Sequence, residues 1–134
     1  MQLLVNIDVD DLERGIEFYS AVFGFRLERR LFKDTVAELL GSTSRIYLLL
    51  KPSGTIPFAS ATRGRDYHRH WTPVHLDFVV EDISSTVDRA IAAGARLEHE
   101  ITSQEWGQLA TMSDPFGHGL CLVQFVGSAY ERAA

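Results

Sequence analysis

Two stretches decide the fold: Val5-Asn6-Ile7-Asp8-Val9-Asp10-Asp11-Leu12-Glu13-Arg14-Gly15-Ile16 and Leu76-Asp77-Phe78-Val79-Val80-Glu81-Asp82-Ile83-Ser84-Ser85-Thr86-Val87. Each opens with β-formers in period two, reaches an acidic pair, and changes to helical spacing. In the first, Val5, Ile7 and Val9 share one strand face, and Leu4, Asn6 and Asp8 share the other. In the second, Leu76, Phe78 and Val80 oppose His75, Asp77 and Val79. Leu12, Ile16, Tyr19 and Phe23 then form one helical stripe, as do Ile83, Val87 and Ile91. Asp10 or Asp11, and Asp82, are placed to cap the first turns. Gly24 and Gly94 stand where helices end.

Working outward, three strand candidates follow each helix, near 25–33, 36–40 and 45–51, then near 96–101, 108–112 and 119–126. The order is βαβββ, twice. The segment between the halves holds Gly54, Pro57 and Gly64, lacks strict periodicity, and reads as a loop or irregular crossover. The expected architecture is α+β: two βαβββ modules forming a curved mixed sheet around a cavity. It occupies a single domain, 1–134, with module one at 1–51, a linker at 52–73, module two at 74–126 and a tail at 127–134. The helices cover the apolar faces. The opposite faces, with Asn6, Asp8, His75 and Asp77, are expected to line a shared concave cavity.

A chain of 134 residues is one domain by length and can bury a core without staples. Its net charge of -5 argues against nucleic acid as a partner, because that affinity rests on neutralising phosphates. Arg63, Arg65 and Arg69 nevertheless cluster in one segment. The lone Cys121 excludes an intramolecular disulfide and a cysteine-rich zinc site, and it fits a reducing compartment. The first residues lack a basic region before their apolar stretch, and no apolar run reaches membrane-span length. The reading is a cytoplasmic protein with no membrane partner.

Several short pieces recur in a telling order. They are Val9-Asp10-Asp11-Leu12-Glu13-Arg14 with Phe18-Tyr19 and Phe23-Gly24-Phe25, then Ala92-Ala93-Gly94-Ala95, then Asp114-Pro115-Phe116-Gly117-His118. With the repeated βαβββ order, they resemble the vicinal oxygen chelate superfamily of glyoxalases, bleomycin resistance proteins and extradiol dioxygenases. The resemblance covers nearly the whole chain. It implies a glyoxalase-like fold whose cavity floor comes from the first and last strands of each module. Metal-using members offer His, Glu, His and Glu there, or close variants, for a divalent ion with open positions. The corresponding positions here are Leu4, seven residues before Asp11; His75, seven before Asp82; and Tyr47 and Cys121 in the last strands. Only His75 keeps the usual ligand type. No cofactor and no conventional metal triad are expected; a divalent metal bound by an unusual set including His75 is the open alternative. A one-residue slip would offer Val5, Leu48, Leu76 and Leu122, which is worse for a metal.

His75 is read as a general acid/base or ligand-binding group, with a carboxylate such as Asp77 or Asp8 as its partner. The competing reading is a histidine satisfied by Asp77 or the backbone. Asn6, Asp8 and Asp77 are polar residues for ligand hydrogen bonds, or are engaged with neighbouring strands. Tyr47, Trp106 and Phe125 suggest aromatic pocket walls, against a reading as plain core. Cys121 lies on the cavity floor, where a buried cysteine also serves as a small apolar residue. His68, His70 and His75 could bind a metal only by converging in space; otherwise they belong to a solvated loop stacked on Trp71. His118 reads as a turn residue. No Ser-His-Asp set, phosphate loop or dinucleotide fingerprint is present.

The expected function is binding of a small, partly apolar or aromatic molecule without a conventional metal triad. The alternative is a metal-dependent lyase, isomerase or dioxygenase of the same superfamily using His75, and a regulatory module without a small ligand is the third reading. The fold alone does not choose among them. A homodimer is expected, C₂ pairing being the commonest soluble assembly.

Overall fold

Alternation of β-branched and polar residues extends β1, Leu4–Val9, and buries Ile7 and Val9 on one side. The computed structural model describes residues 1–133 and divides into two compact units, one spanning Met1–His68 and the other beginning at Arg69. The division lies inside the expected linker. In the first unit β1 leads into α1, Leu12–Phe23, whose N-cap is Asp11; its carboxylate accepts from the Arg14 amide at 3.0 Å. Gly24 ends the helix at φ 70°, a left-handed conformation that favours glycine. Strands β2, Arg26–Leu31, β3, Val36–Leu40, and β4, Arg45–Leu50, complete a sheet of order β1-β4-β3-β2. Only the β1–β4 pair is parallel.

The second unit repeats this plan. β5, Leu76–Val79, is followed by α2, Ile83–Ala92, capped by Asp82, whose carboxylate accepts from the Ser85 amide at 3.0 Å. Then come β6, Arg96–Leu97, β7, Thr102–Gln104, β8, Gly107–Ser113, and β9, Gly119–Phe125. The sheet runs β5-β9-β8-β6, with β7 also on β8 and only β5–β9 parallel. The single strand expected at 96–101 is thus two short ones on β8. The Gln124 side chain accepts from the Ile83 amide at 2.8 Å and ties the start of α2 to the sheet.

The helical stripes sit slightly differently from expectation. In α1 the deepest residues are Leu12, Gly15, Phe18, Tyr19 and Val22, while Ile16 and Phe23 are half-buried. In α2 they are Ile83, Thr86, Val87 and Ala90, while Ile91 is exposed. The small residues Gly15 and Ala90 thus belong to the buried faces of the two helices. The α1 side of the first sheet is closed by Ala37, Leu39, Ile46 and Leu48, and the α2 side of the second by Ala110, Met112, Leu120 and Leu122, all buried.

Of the expected linker, 52–68 folds back on the first unit. Arg65 donates through Nε to Asp8 at 2.6 Å, and the Tyr67 hydroxyl donates to the Lys51 carbonyl at 2.5 Å. Burial and the nearby Asp8 charge push the Tyr67 phenol up to about 12. No helix among the described residues is long and apolar enough to cross a membrane.

Candidate functional site

Period two gives each sheet a second face, turned away from its helix. In the second unit a polar row crosses that face: Asp77 pairs with Cys121, Cys121 with Thr111, and the Glu98 amide donates to the Thr111 carbonyl at 3.0 Å. His75 stands immediately before β5 rather than within it, one strand-step from Asp77 on the same side. Its Nε2 lies 3.2 Å from the Asp77 carboxylate, and both side chains are about one-third exposed. Cys121 is buried, with its sulfur 3.8 Å from the Thr111 hydroxyl. Burial pushes the Cys121 thiol up; Thr111 opposes this and the Asp77 charge reinforces it. One donor atom from each of His75, Asp77 and Cys121 lies within 4.8 Å of the others.

Trp71 roofs this cluster. Its ring is 4.6 Å from the His75 ring, and the Arg69 guanidinium sits 5.6 Å from its centroid. Arg69 is itself paired with Glu98, which keeps the Glu98 carboxyl below its usual range. The segment carrying Trp71 and His75 is held from below by His70. The His70 amide donates to the Gly117 carbonyl at 2.9 Å, and its Nε2 is 2.8 Å from His118 Nδ1. Of His68, His70 and His75, only His75 joins the cluster; His68 is bonded to Asp66 and His70 to His118. Trp71 rests on Gly119 because any Cβ there would collide with its ring. Gly119→Ala is therefore expected to expel the indole from His75 with little loss of stability. In a Trp106→Phe background, the remaining tryptophan should become more accessible to acrylamide quenching. Unchanged quenching would show that the indole does not depend on this gap.

The same face continues away from the polar row as Val79, Leu109 and Phe125. Trp106, Phe125 and Tyr130 form an aromatic group there, with centroids 4.8–6.1 Å apart. Phe125 lies roughly 13 Å along β9 from Cys121, at about 3.3 Å per residue. Trp106 and Phe125 are thus at the other end of the face from His75.

In the first unit the corresponding row is Asn6–Tyr47–Glu38–Arg29. Glu38 is fully buried, paired with Arg29 and Arg45, and accepts from the Tyr47 hydroxyl at 3.0 Å. The two guanidinium bonds outweigh burial and, with Tyr47, hold its carboxyl down at about 2. Sequence reasoning passed over Glu38, although a single acid within Val36-Ala37-Glu38-Leu39-Leu40 opposite the arginines of β2 was a usable signal. Leu4 is exposed and offers no metal donor, Tyr47 is engaged with Glu38, and Asp8 is engaged with Arg65.

The duplicated βαβββ order has counterparts among known proteins. A glyoxalase-like domain profile matches residues 4–123. The chain belongs to the glyoxalase-like domain family. Its fold is that of the vicinal oxygen chelate superfamily. A glyoxalase/bleomycin resistance protein/dioxygenase family enzyme from Burkholderia phytofirmans PsJN is 21% identical, with a TM-score of 0.68, covering 92% of this chain and 97% of that one. The fosfomycin resistance protein FosX from Listeria monocytogenes is 16% identical, with a TM-score of 0.69, covering 95% and 94%. A glyoxalase-related enzyme from Fulvimarina pelagi is 17% identical, with a TM-score of 0.70, covering 92% and 87%. At these identities the likeness concerns the fold of this glyoxalase-like chain. No curated protein sequence matches it.

Proposed function

We propose that this glyoxalase-like protein binds a small, partly apolar or aromatic molecule on the open face of its second unit, without a conventional metal triad. The observation that supports this is the half-exposed Trp71 ring held over Gly119 and against His75, beside Asp77, Thr111 and Cys121. A flat ligand ring finds an indole to stack on, and its polar groups find an imidazole, a carboxylate and a hydroxyl. The apolar end of the ligand would run toward Val79, Leu109 and Phe125. His75 and Asp77 are the pair for any proton transfer. A cytoplasmic setting and a homodimer belong to the same reading, the latter measurable as mass in solution. With Trp71 as sole tryptophan in Trp106→Phe, 4-nitrocatechol, a non-fluorescent aromatic acceptor of tryptophan emission, serves as the probe. Saturable quenching, weakened about tenfold or more in His75→Ala, is expected, a change of about 1.4 kcal/mol. Absence of saturable quenching would count against the reading.

The second reading is a metal-dependent lyase, isomerase or dioxygenase, favoured by the three donor atoms within 4.8 Å of one another. An imidazole, a carboxylate and a thiol fit a borderline-soft divalent ion with a position left open. His75, Asp77 and Cys121 would hold it, and the ion would supply Lewis-acid polarisation of a substrate oxygen. Because burial holds the Cys121 thiol protonated, ion binding would release a proton and weaken as pH falls. Calorimetric titration with zinc, nickel, manganese and iron(II) decides between the readings. Tight stoichiometric binding that is lost in His75→Ala would replace the first with the second.

A further inference from the structure

The first unit carries a group of charges that the proposed ligand face does not use. Glu38, in the middle of β3, has no solvent exposure, yet it is held ionised by Arg29 and Arg45 with Tyr47 as a third donor. Burying a carboxylate is costly unless it is fully paired, and an apolar residue would commonly serve stability as well. The β-α-β-β-β module itself does not require the arrangement. In the second unit the register-equivalent positions hold Thr111 for Glu38, Glu98 for Arg29 and Gly119 for Arg45, and the sheet closes without it.

What the buried carboxylate does is fix two guanidinium groups side by side on one sheet face. Arg29 spends only Nε on Glu38, and Arg45 one Nη on Glu38 with a further side-chain contact to Tyr47. Each guanidinium has five N–H donors, so most remain for something else. Both arginine side chains are about half exposed, at 58% and 46%. Two positive charges against one negative leave a local surplus of one. The exposed amide of Asn6 continues the same row past Tyr47.

We infer that Arg29 and Arg45, positioned by Glu38, form a binding site for a small oxyanion, the carboxylate or phosphate group of a small molecule. Planar guanidinium forks match such groups bidentately, where an ammonium would act only as a point charge. Nucleic acid does not fit the site, because the chain as a whole carries a net charge of -5.

The test follows the side-chain Nε–H resonances of Arg29 and Arg45 in the full chain during titration with inorganic phosphate, with acetate, and with chloride at matched ionic strength. Saturable shifts of both resonances by phosphate or acetate, but not by chloride, are expected. The anion that saturates at the lower concentration identifies the group. Arg29→Lys and Arg45→Lys keep the charge and, being half exposed, should leave the fold intact. Each is expected to weaken binding about tenfold or more. Glu38→Gln adds a net positive charge while releasing the forks, and is expected to weaken binding too. Equal shifts with chloride, no saturation, lysine variants that bind as well as the parent, or tighter binding by Glu38→Gln would each overturn the assignment.

Discussion

Phe116→Ala is expected to cost about 3–5 kcal/mol, the range for emptying a fully buried aromatic site. Phe116 has no solvent exposure and sits in the turn between β8 and β9. Its amide donates to the Asp114 carboxylate at 2.8 Å, as the His118 amide does at 3.0 Å. The ring therefore anchors a turn whose backbone is already closed by its own aspartate. That turn also receives His70, through the Gly117 carbonyl and the His118 ring. Loss of the ring should destabilise the second unit and loosen the segment that carries Trp71 and His75. Urea denaturation measures the first effect, and tryptophan emission in Trp106→Phe the second. Phe116→Leu, which keeps most of the volume, should lose much less. A loss below about 1 kcal/mol in the alanine variant would mean that the site collapses around the gap.

Glu38 should make the first unit acid-sensitive. Its folded-state value of about 2 lies below the usual 4.5, so its carboxylate favours the folded chain. That contribution is fully present above about pH 4.5 and is lost as pH falls toward 2. Glu38→Gln lacks it at every pH. The parent should therefore be clearly the more stable at pH 7, and the gap between the two denaturation midpoints should narrow as pH drops through this window. Glu13 and Glu98, whose values are also lowered by arginine partners, titrate in both proteins and cancel from the difference. A gap independent of pH would show that Glu38 acts by shape rather than by charge.

Much of this was legible along the chain because it is local. Period two in Val5–Val9 reports which face a strand buries, and Asp11 and Asp82 cap helices through hydrogen bonds spanning three residues. The duplication followed from two such patterns in the same order. Glu38 was not legible in the same way. Its burial depends on Arg29, nine residues back, and Arg45, seven ahead, arriving beside it through sheet register. Asp8 reads as a polar residue for a ligand or for neighbouring strands, but its partner Arg65 stands 57 positions away in an aperiodic loop. Trp71 gave no periodic signal either. It reaches His75 because the non-local His70–Gly117 and His70–His118 contacts hold the segment in place.

The sequence by itself determined the two βαβββ modules and the helix ends, and its resemblance to the superfamily pointed to Leu4, Tyr47, His75 and Cys121 as the positions to inspect for a metal. The sequence also offered Asp77 as the partner of His75; only the tertiary structure decided the rest of what surrounds them: Trp71 at His75, Thr111 at Cys121, and the Glu38 arginine cluster at Tyr47. The physical reason is range. Secondary structure is written in steric and hydrogen-bond preferences over a few residues, whereas a site is made by pairings across strands that no short stretch encodes.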